Sequence, residues 1–245
     1  MESRSVASKT QSWYEAYYAR QGADRNDRLN PEVVFQNFAS EDAILRALRR
    51  INLDRQSALV LDVGCGAGAS LSRFLGLDMP PENLFGIDVL AERIESSPYH
   101  GLSLSVEDAQ AMSFSDGQFD LVMESTMFVQ LTDESVARHI AAEMLRVTTP
   151  GGFILLCDWR YGRPGKADEY RALDRDRIRS LFHLERECEW VASYPGALVP
   201  PLGRRVSRWA PSTYFLLRRV LPPLVGLNVT LLQRSAPDRS HISRA

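Results

Sequence analysis

Residues 59–70 read LVLDVGCGAGAS and place three glycines, at positions 64, 66 and 68, directly after a run of apolar residues. A parallel strand that ends in Gly-x-Gly-x-Gly and opens into a helix lets a ligand lie against bare backbone. The glycines allow a tight turn without obstructing side chains, and the start of the helix offers free N–H groups. This stretch therefore predicts an α/β fold with a ligand at the end of its first strand.

Outward from this turn, short apolar runs alternate with amphipathic ones, which favours a mostly parallel sheet flanked by helices. The predicted strands are 58–63, 84–88, 102–106, 119–124 and 152–158, and the predicted helices are 67–75, 90–96 and 133–147. In the last helix, apolar residues recur at helical spacing and predict a buried stripe. The triplet Pro150-Gly151-Gly152 is expected to separate this helix from the next strand.

Two regions fall outside this alternation. Residues 8–52 suggest two or three helices, and two further strands are expected at about 186–193 and 227–233. We therefore predict an N-terminal helical cap over residues 1–52 and an α/β domain over 53–245, with a C-terminal insertion at about 194–226. Tyr14, Tyr17 and Tyr18 in the cap could form an aromatic lid over the site or pack on the core.

The glycine turn has acidic partners that narrow the choice of ligand. Gly64-x-Gly66-x-x-Ala69 also fits a dinucleotide fingerprint, and Asp88 could bind the ribose of a dinucleotide or of another adenosine ligand. Asp62 could hold a cationic amino group, and Asp108 could accept from an adenine amine. Acidic groups at three successive strand ends suit S-adenosylmethionine, while a nicotinamide dinucleotide stays open.

Four stretches in order resemble the motifs of class I S-adenosylmethionine-dependent methyltransferases. They are LDVGCGAG (61–68), GIDV (86–89), EDAQAMSFSDGQFDLV (107–122) and RVTTPGGFILLCD (146–158). The resemblance covers about residues 58–160. It implies a Rossmann-like, doubly wound, seven-stranded sheet in the order 3-2-1-4-5-7-6 with strand 7 antiparallel.

The resemblance also implies roles for individual residues. The methionine part of the cofactor would be held by Asp62 and the turn Gly64-Cys65-Gly66, while Gly68 extends the bare turn of the cofactor site by one residue more than a dinucleotide requires. Asp88 would bind the ribose, Val89 would lie beside the adenine, and Asp108 and Ala109 would contact the adenine edge. Glu124 and Ser125 would border the methyl donor; Glu124 is the candidate catalytic base, with contact to the cofactor ammonium as its alternative role.

The stretch after strand 4 departs from some relatives. Residues 124–131 read ESTMFVQL and lack the Asn-Pro-Pro-Tyr or Asp-Pro-Pro-Tyr signature. This departure disfavours methylation of nucleobase amines or glutamine side chains.

Composition limits the partners further. The formal net charge of −2 provides no global basic field for nucleic acid. Cys65, Cys157 and Cys188 form no metal pattern with the four histidines, so no metal site is predicted. The odd number of scattered thiols fits a reducing cytoplasm, and the first residues lack the apolar run of a secretory signal, so a cytoplasmic protein is expected. Residues 200–227 combine five arginines with large apolar side chains. They suggest a packed helix with a solvated basic face, or contact with a membrane or a lipid-linked substrate.

The sequence therefore predicts an S-adenosylmethionine-dependent methyltransferase that acts on a small-molecule or glycan acceptor, at oxygen. Two alternatives stay open: an NAD-dependent oxidoreductase, and a non-catalytic cofactor-binding protein of the same fold.

Overall fold

A seven-stranded sheet organises the protein. The computed structural model describes residues 29–162 and 165–236, together with the single residues 12 and 27. The strands are β1 (Val60–Val63), β2 (Leu84–Asp88), β3 (Ser103–Val106), β4 (Phe119–Ser125), β5 (Thr148–Trp159), β6 (Cys188–Pro195) and β7 (Leu227–Arg234). Their order is β3-β2-β1-β4-β5-β7-β6, and β7 runs antiparallel to β5 and β6. The predicted order and the antiparallel seventh strand are confirmed.

The helices follow the alternation of the sequence. They are α1 (Val34–Leu48), α2 (Ser72–Leu75), α3 (Ala91–Glu95), α4 (Glu134–Val147), α5 (Arg175–Leu181), α6 (Pro200–Trp209) and α7 (Tyr214–Val220). Two of them start at an aspartate that caps the helix. Asp133 accepts a hydrogen bond from the backbone N–H of Ser135 at the start of α4, and Asp174 accepts one from Arg177 at the start of α5.

The structure corrects two predicted boundaries. The helix expected at 67–75 begins only at Ser72, because Gly66 and Gly68 have φ values of 57° and 84° and hold the preceding residues in turns. The strand expected at 152 begins at Thr148, directly after α4. Pro150-Gly151-Gly152 therefore lies inside β5, where the register with β4 shifts between Phe119 and Leu121.

Two apolar layers enclose the sheet. Side chains of α4 and α5, among them Ile140 and Ile178, pack on one face, and side chains of α1 and α2, among them Ile44 and Phe74, pack on the other. Helix α1 is the part of the predicted cap that the structure describes. The aromatic lid and most of residues 1–28 lie outside the described residues, so the predicted domain boundaries stay predictions.

Helices α6 and α7 connect β6 to β7. The last residue of β5, Trp159, pairs with Leu227 of β7, and Pro195 at the end of β6 pairs with Asn228. The connection therefore leaves the sheet at the edge where the parallel strands end, which is also the edge of the glycine turn. None of the helices in the described ranges combines the length and apolar character needed to cross a membrane.

Candidate functional site

The glycine turn at the end of β1 requires its glycines for conformational reasons. Gly64, Gly66 and Gly68 have φ values of 74°, 57° and 84°, in the left-handed region that other residues rarely adopt. The turn is fixed to β2, because the backbone N–H groups of Gly64 and Cys65 both donate to the carbonyl of Ile87 at 2.9 Å.

Side chains also lie close to the bare turn. A Cβ added to Gly66 would lie 2.7 Å from a terminal nitrogen of Arg93, and one added to Gly64 would lie 3.1 Å from the sulfur of Met127. A ligand that lies on this turn would therefore contact the side chains of Arg93 and Met127.

Cys65 serves the turn through its backbone. Its side chain is buried, and a Cβ added to Gly86 would lie 2.8 Å from the Cys65 sulfur. Burial, with the carboxylates of Asp62 and Asp88 nearby, raises the pKa of the Cys65 thiol far above its usual range. The thiol is therefore a neutral packing group.

Asp88 connects the turn to the second strand. Its Oδ2 accepts from the N–H of Gly66 and its Oδ1 accepts from the N–H of Leu90, both at 2.9 Å. The backbone carbonyl of Asp88 accepts from the N–H of Glu107 at 3.1 Å, which joins the ends of β2 and β3. Hydrogen bonds therefore link the glycine turn, the predicted ribose residue Asp88 and the start of the predicted adenine loop at Glu107.

Asp62 is a buried carboxylate without a partner. Its exposure is 1%, and neither side-chain oxygen has a hydrogen-bond partner among the described residues. Burial, opposed by Arg73 and reinforced by the carboxylate of Asp88, raises the pKa of Asp62 to about 7. A buried carboxylate left unpaired is costly, so this position fits a cationic group that arrives with a ligand.

Glu124, at the end of β4, is a second buried carboxylate. Its Oε2 accepts from the N–H of Met127 at 3.0 Å, whereas Oε1 has no partner within the described ranges. Burial raises the pKa of Glu124 well above its usual value, and Asp158 raises it further. In contrast to Asp62, Asp158 uses both oxygens, which accept from the N–H groups of Val129 and Trp159.

The residues present fit the predicted cofactor. Register pairing sets Val63 of β1 beside Glu124, so the unpartnered oxygens of Asp62 and Glu124 belong to neighbouring strand ends next to the glycine turn. An ammonium group would provide charged hydrogen-bond donors for these unpartnered oxygens.

A cavity of about 330 Å³ opens at this edge of the sheet. Six of the predicted cofactor residues line it: Gly64, Asp88, Val89, Asp108, Ala109 and Ser125. The remaining five lie in the turn or are buried beside it: Asp62, Cys65, Gly66, Gly68 and Glu124. This arrangement is what a cofactor on the turn would require, and the individual roles stay predictions.

The far side of the cavity was not predicted from the sequence. It is lined by Thr126, Met127, Gln130, Leu131, Thr132, Val136, Ile140, Asp168 and Glu169. Thr126 has a φ of 59°, which is a strained conformation for a β-branched residue and is found mostly at functional positions. Val136 and Ile140 belong to the predicted stripe of α4, whereas Asp168 and Glu169 lie in a loop without a recognisable motif.

Arg177 holds this side of the cavity together. Its guanidinium donates to the carbonyls of Phe128 and Leu131 after β4 and to the carbonyl of Arg171 after β5, at 3.0, 2.7 and 2.8 Å, and it pairs with Glu134 at 3.2 Å. Burial lowers the pKa of Arg177, but the guanidinium stays charged. One buried side chain thus ties together the two loops that border the cavity.

Histidine is a frequent general base, but none of the described histidines lines the cavity. His100 and His139 are exposed and are not among the residues that line the cavity. Across the described ranges, no three histidine, cysteine or acidic side chains are grouped so as to hold a metal ion.

Comparisons with known proteins agree with this geometry. Residues 60–152 match a protein family described as "Methyltransferase domain". The range starts at the first residue of β1 and ends within β5, so it contains the glycine turn and the carboxylates at the ends of β1, β2 and β4.

Two curated proteins are similar to part of the chain. A 2-methyl-6-phytyl-1,4-hydroquinone methyltransferase of Synechocystis is 38% identical over 105 residues, which cover 41% of this chain and 31% of that protein. A chloroplastic tocopherol O-methyltransferase of Arabidopsis thaliana is 30% identical over 142 residues, which cover 53% of this chain and 39% of that protein. The chain thus spans less than half the length of these relatives.

A solved structure shares the fold over nearly the whole chain. It is a 1,6-didemethyltoxoflavin-N1-methyltransferase of Burkholderia thailandensis with bound 1,6-didemethyltoxoflavin and S-adenosylhomocysteine. The TM-score is 0.58 at 14% identity, over 95% of this chain and 90% of that one.

Proposed function

Because the chain carries a class I S-adenosylmethionine-dependent methyltransferase domain, with S-adenosylmethionine as its cofactor, we propose that it methylates an oxygen atom of a small hydroxylated molecule. The oxidoreductase alternative loses its basis, since the matching family and relatives are methyltransferases. The acceptor and the methylated atom are the parts that this proposal adds.

One observation carries the cofactor part of the proposal: the unpartnered carboxylate of Asp62 lies beside a glycine turn that opens into a cavity. Asp62 and Oε1 of Glu124 would hold the ammonium of the cofactor, the backbone of Gly64–Gly68 would lie against its methionine part, and Asp88 would bind its ribose. When bound, the cofactor supplies a methyl group on a sulfonium that needs no further activation. The protein therefore has to position the acceptor, exclude water and accept a proton.

The far side of the cavity suits an acceptor with an apolar ring and a hydroxyl group. Leu131, Val136 and Ile140 provide an apolar wall, and Gln130 and Thr132 add polar groups beside it. A carboxylate could take up the hydroxyl proton as a general base. Asp168 lines this side and is exposed, whereas Glu124 is fully buried and is not among the lining residues. We therefore assign the base to Asp168. The ammonium contact is assigned to Glu124 because its unpartnered Oε1 belongs to the strand end next to that of Asp62.

The names of the relatives support a phenol or hydroquinone acceptor. One is a 2-methyl-6-phytyl-1,4-hydroquinone methyltransferase and the other a tocopherol O-methyltransferase. A glycan acceptor, which the sequence also allows, stays an untested prediction. So does a non-catalytic role.

Two experiments test the proposal. Calorimetric titration with S-adenosylmethionine, S-adenosylhomocysteine and NADH should show binding of the first two alone. Transfer of a labelled methyl group is then measured with water-soluble hydroquinones, simple phenols and sugar nucleotides. Methylation of the phenolic compounds supports the proposal. Methylation of sugar nucleotides alone would favour a glycan acceptor, and cofactor binding without any turnover would favour the non-catalytic alternative.

The assigned base has its own control. Asp168→Asn should lower kcat about 10²-fold or more and leave the Kd of S-adenosylmethionine unchanged. Asp176→Asn, an exposed aspartate at the start of α5, should leave kcat unchanged.

A further inference from the structure

Exposed apolar side chains are concentrated in and around α7. Within the described ranges nine large apolar side chains are exposed, and five of them lie between Trp209 and Leu221. Trp209 is 75% exposed, Leu216 59% and Val220 55%. Solvated monomers rarely expose large apolar side chains in such close succession, and contiguous exposed apolar surface marks interaction sites.

Helix α7 directs its apolar residues toward solvent. Tyr214 is its buried residue: the hydroxyl oxygen accepts from the backbone N–H of Leu198 at 3.0 Å, and the ring lies 6.1 Å from that of Phe35 in α1. Leu216 and Val220, in contrast, are one helical turn apart and share an exposed face. Phe215 extends this face toward α1, because its ring lies 6.3 Å from that of Phe35. Leu216 and Val220 thus stay at the surface, whereas Phe215 both contacts α1 and borders the exposed face.

Arginines flank the residues of this face along the chain. Residues 196–226 contain five arginines and no aspartate or glutamate. Arg205, Arg208 and Arg219 are exposed, and the guanidinium of Arg208 lies 4.9 Å from the ring centre of Trp209. The neighbouring carboxylates are Glu32, which pairs with Arg204 and Arg208, and Asp42, which pairs with Arg218. Arginines outnumber these carboxylates by three, so the rim of the apolar face is cationic.

The position of this surface is fixed relative to the site. Arg160, directly after β5, donates to the carbonyl of Val225 at 2.6 Å, and Tyr161 donates to the carbonyl of Pro223 at 3.0 Å. These bonds fasten the segment after α7 to the carboxyl edge of the sheet. The apolar face and the cavity therefore belong to the same edge of the domain.

We propose that α6, α7 and Leu221 form a docking surface for an anionic lipid membrane. The docking surface consists of Arg205, Arg208, Trp209, Phe215, Leu216, Arg219, Val220 and Leu221. An amphipathic element with apolar and tryptophan side chains beside arginines binds such an interface by burying the apolar groups while the arginines contact lipid phosphates. A second copy of the chain is a poorer occupant, because a symmetric contact would bring the same arginines together. That the docked protein methylates a lipid-embedded phenol or hydroquinone rests on the proposed function; the docking itself does not.

The test is co-sedimentation of the full chain with vesicles, without cofactor or acceptor. We expect binding to vesicles of phosphatidylcholine mixed with phosphatidylglycerol, and much weaker binding to phosphatidylcholine alone. Arg205→Gln/Arg219→Gln should lower the partition coefficient about tenfold or more, because each arginine near an anionic surface contributes about 1 kcal/mol. Leu216→Ser/Val220→Ser should lower the partition coefficient for the mixed vesicles and for vesicles of phosphatidylcholine alone.

Matched controls separate the surface from general charge and folding. Arg49→Gln/Arg50→Gln removes the same charge from two exposed arginines at the end of α1 and should leave partitioning unchanged. Vesicles should shift the tryptophan emission of the wild type to the blue, and Trp209→Phe should remove most of that shift. Circular dichroism and titration with S-adenosylmethionine show that each variant is folded, and they also report on the cofactor site independently of docking.

The possible outcomes are distinct. Loss of partitioning in the docking-surface variants, with cofactor binding intact, supports the proposal. Absence of vesicle binding by the wild type, equal loss in the Arg49/Arg50 control, or concentration-dependent dimerisation that Leu216→Ser/Val220→Ser abolishes would each overturn it. Vesicle binding by a protein that fails to bind S-adenosylmethionine would overturn the proposed function and leave the docking surface in place.

Discussion

Replacing Asp62 by asparagine should stabilise the protein and at the same time weaken its cofactor binding. Asp62 is buried with both carboxylate oxygens unpartnered among the described residues, which is unfavourable without a ligand. Asparagine has nearly the same shape and no charge. The substitution therefore removes a cost from the free protein and a binding partner from the complex.

The size of the stability effect follows from the pKa of Asp62, which burial raises from 3.8 to about 7. Below pH 3.8 both the folded and the unfolded chain carry the proton, so no penalty exists. As the pH rises to about 7, the unfolded chain has released the proton while the folded chain retains it, and the free energy of unfolding falls. About three pH units at 1.36 kcal/mol each give a loss of about 4 kcal/mol by pH 8. Asp62→Asn should lack this loss.

Cofactor binding should show the opposite dependence on pH. Asp62 must be ionised to pair with an ammonium group, so below about pH 7 the binding of S-adenosylmethionine should take place with release of a proton. Its Kd should then rise toward tenfold for each pH unit below that value. Asp62→Asn should flatten this slope and raise the Kd at pH 8 by about 10²-fold, since a buried cation would lose its charged partner.

The assays are denaturant unfolding and calorimetric titration at pH 5 and pH 8, with Asp158→Asn as control. The pKa of Asp158 is likewise raised to about 7 by burial, but both of its oxygens accept backbone N–H groups. An asparagine there leaves one N–H facing an amide donor, so we expect less stabilisation and unchanged cofactor affinity. If Asp62→Asn is no more stable than the wild type at pH 8, or binds the cofactor within twofold of it, the unpaired carboxylate is not the ammonium site.

Three further predictions concern the turn and the loops. Gly66→Ala should lower cofactor affinity and cost about 1–2 kcal/mol of stability, because φ is 57° and the new Cβ meets Arg93. Gly151→Ala is the control: its φ is 82° and no atom lies within 4 Å of the new Cβ, so it measures the cost of the backbone conformation alone. Asp88→Ala should raise the Kd for S-adenosylmethionine at least about tenfold in calorimetry, through loss of a charged hydrogen-bond acceptor; a change of less than twofold would misplace the ribose. Arg177→Gln should raise the KM of the acceptor more than it raises the cofactor Kd, measured side by side, because the guanidinium orders the loops on the acceptor side; an equal change in both would indicate general destabilisation.

The sheet and the cofactor side follow from the sequence because their signals are local. Three glycines in five positions specify left-handed backbone, and Asp88 lies at the end of a short apolar strand, where parallel topology brings strand ends together. The order of the strands came from resemblance, since pairing between distant strands leaves no local pattern.

The acceptor side could not be predicted for a physical reason. Asp168 and Glu169 reach the cavity from a loop whose position depends on Arg177, a residue in α5 that is distant in sequence from the β4 loop it also holds. Thr126 adopts a φ of 59° that its residue type disfavours, so local preference indicates the wrong conformation. Such features arise from tertiary contacts and appear only in the folded chain.

The two sides of the cavity therefore carry different constraints. The cofactor side rests on backbone geometry and on a buried charge that the free protein holds at a cost, so substitutions that stabilise it should impair binding. The acceptor side consists of two loops that the Arg177 guanidinium joins through their backbone carbonyl groups. Because these bonds involve only the backbone of the loops, the side chains that face the cavity can be substituted without breaking them. A change of acceptor can thus arise through Gln130, Leu131 or Asp168 without disturbing the sheet. Acceptor identity is for this reason the property that the fold constrains least.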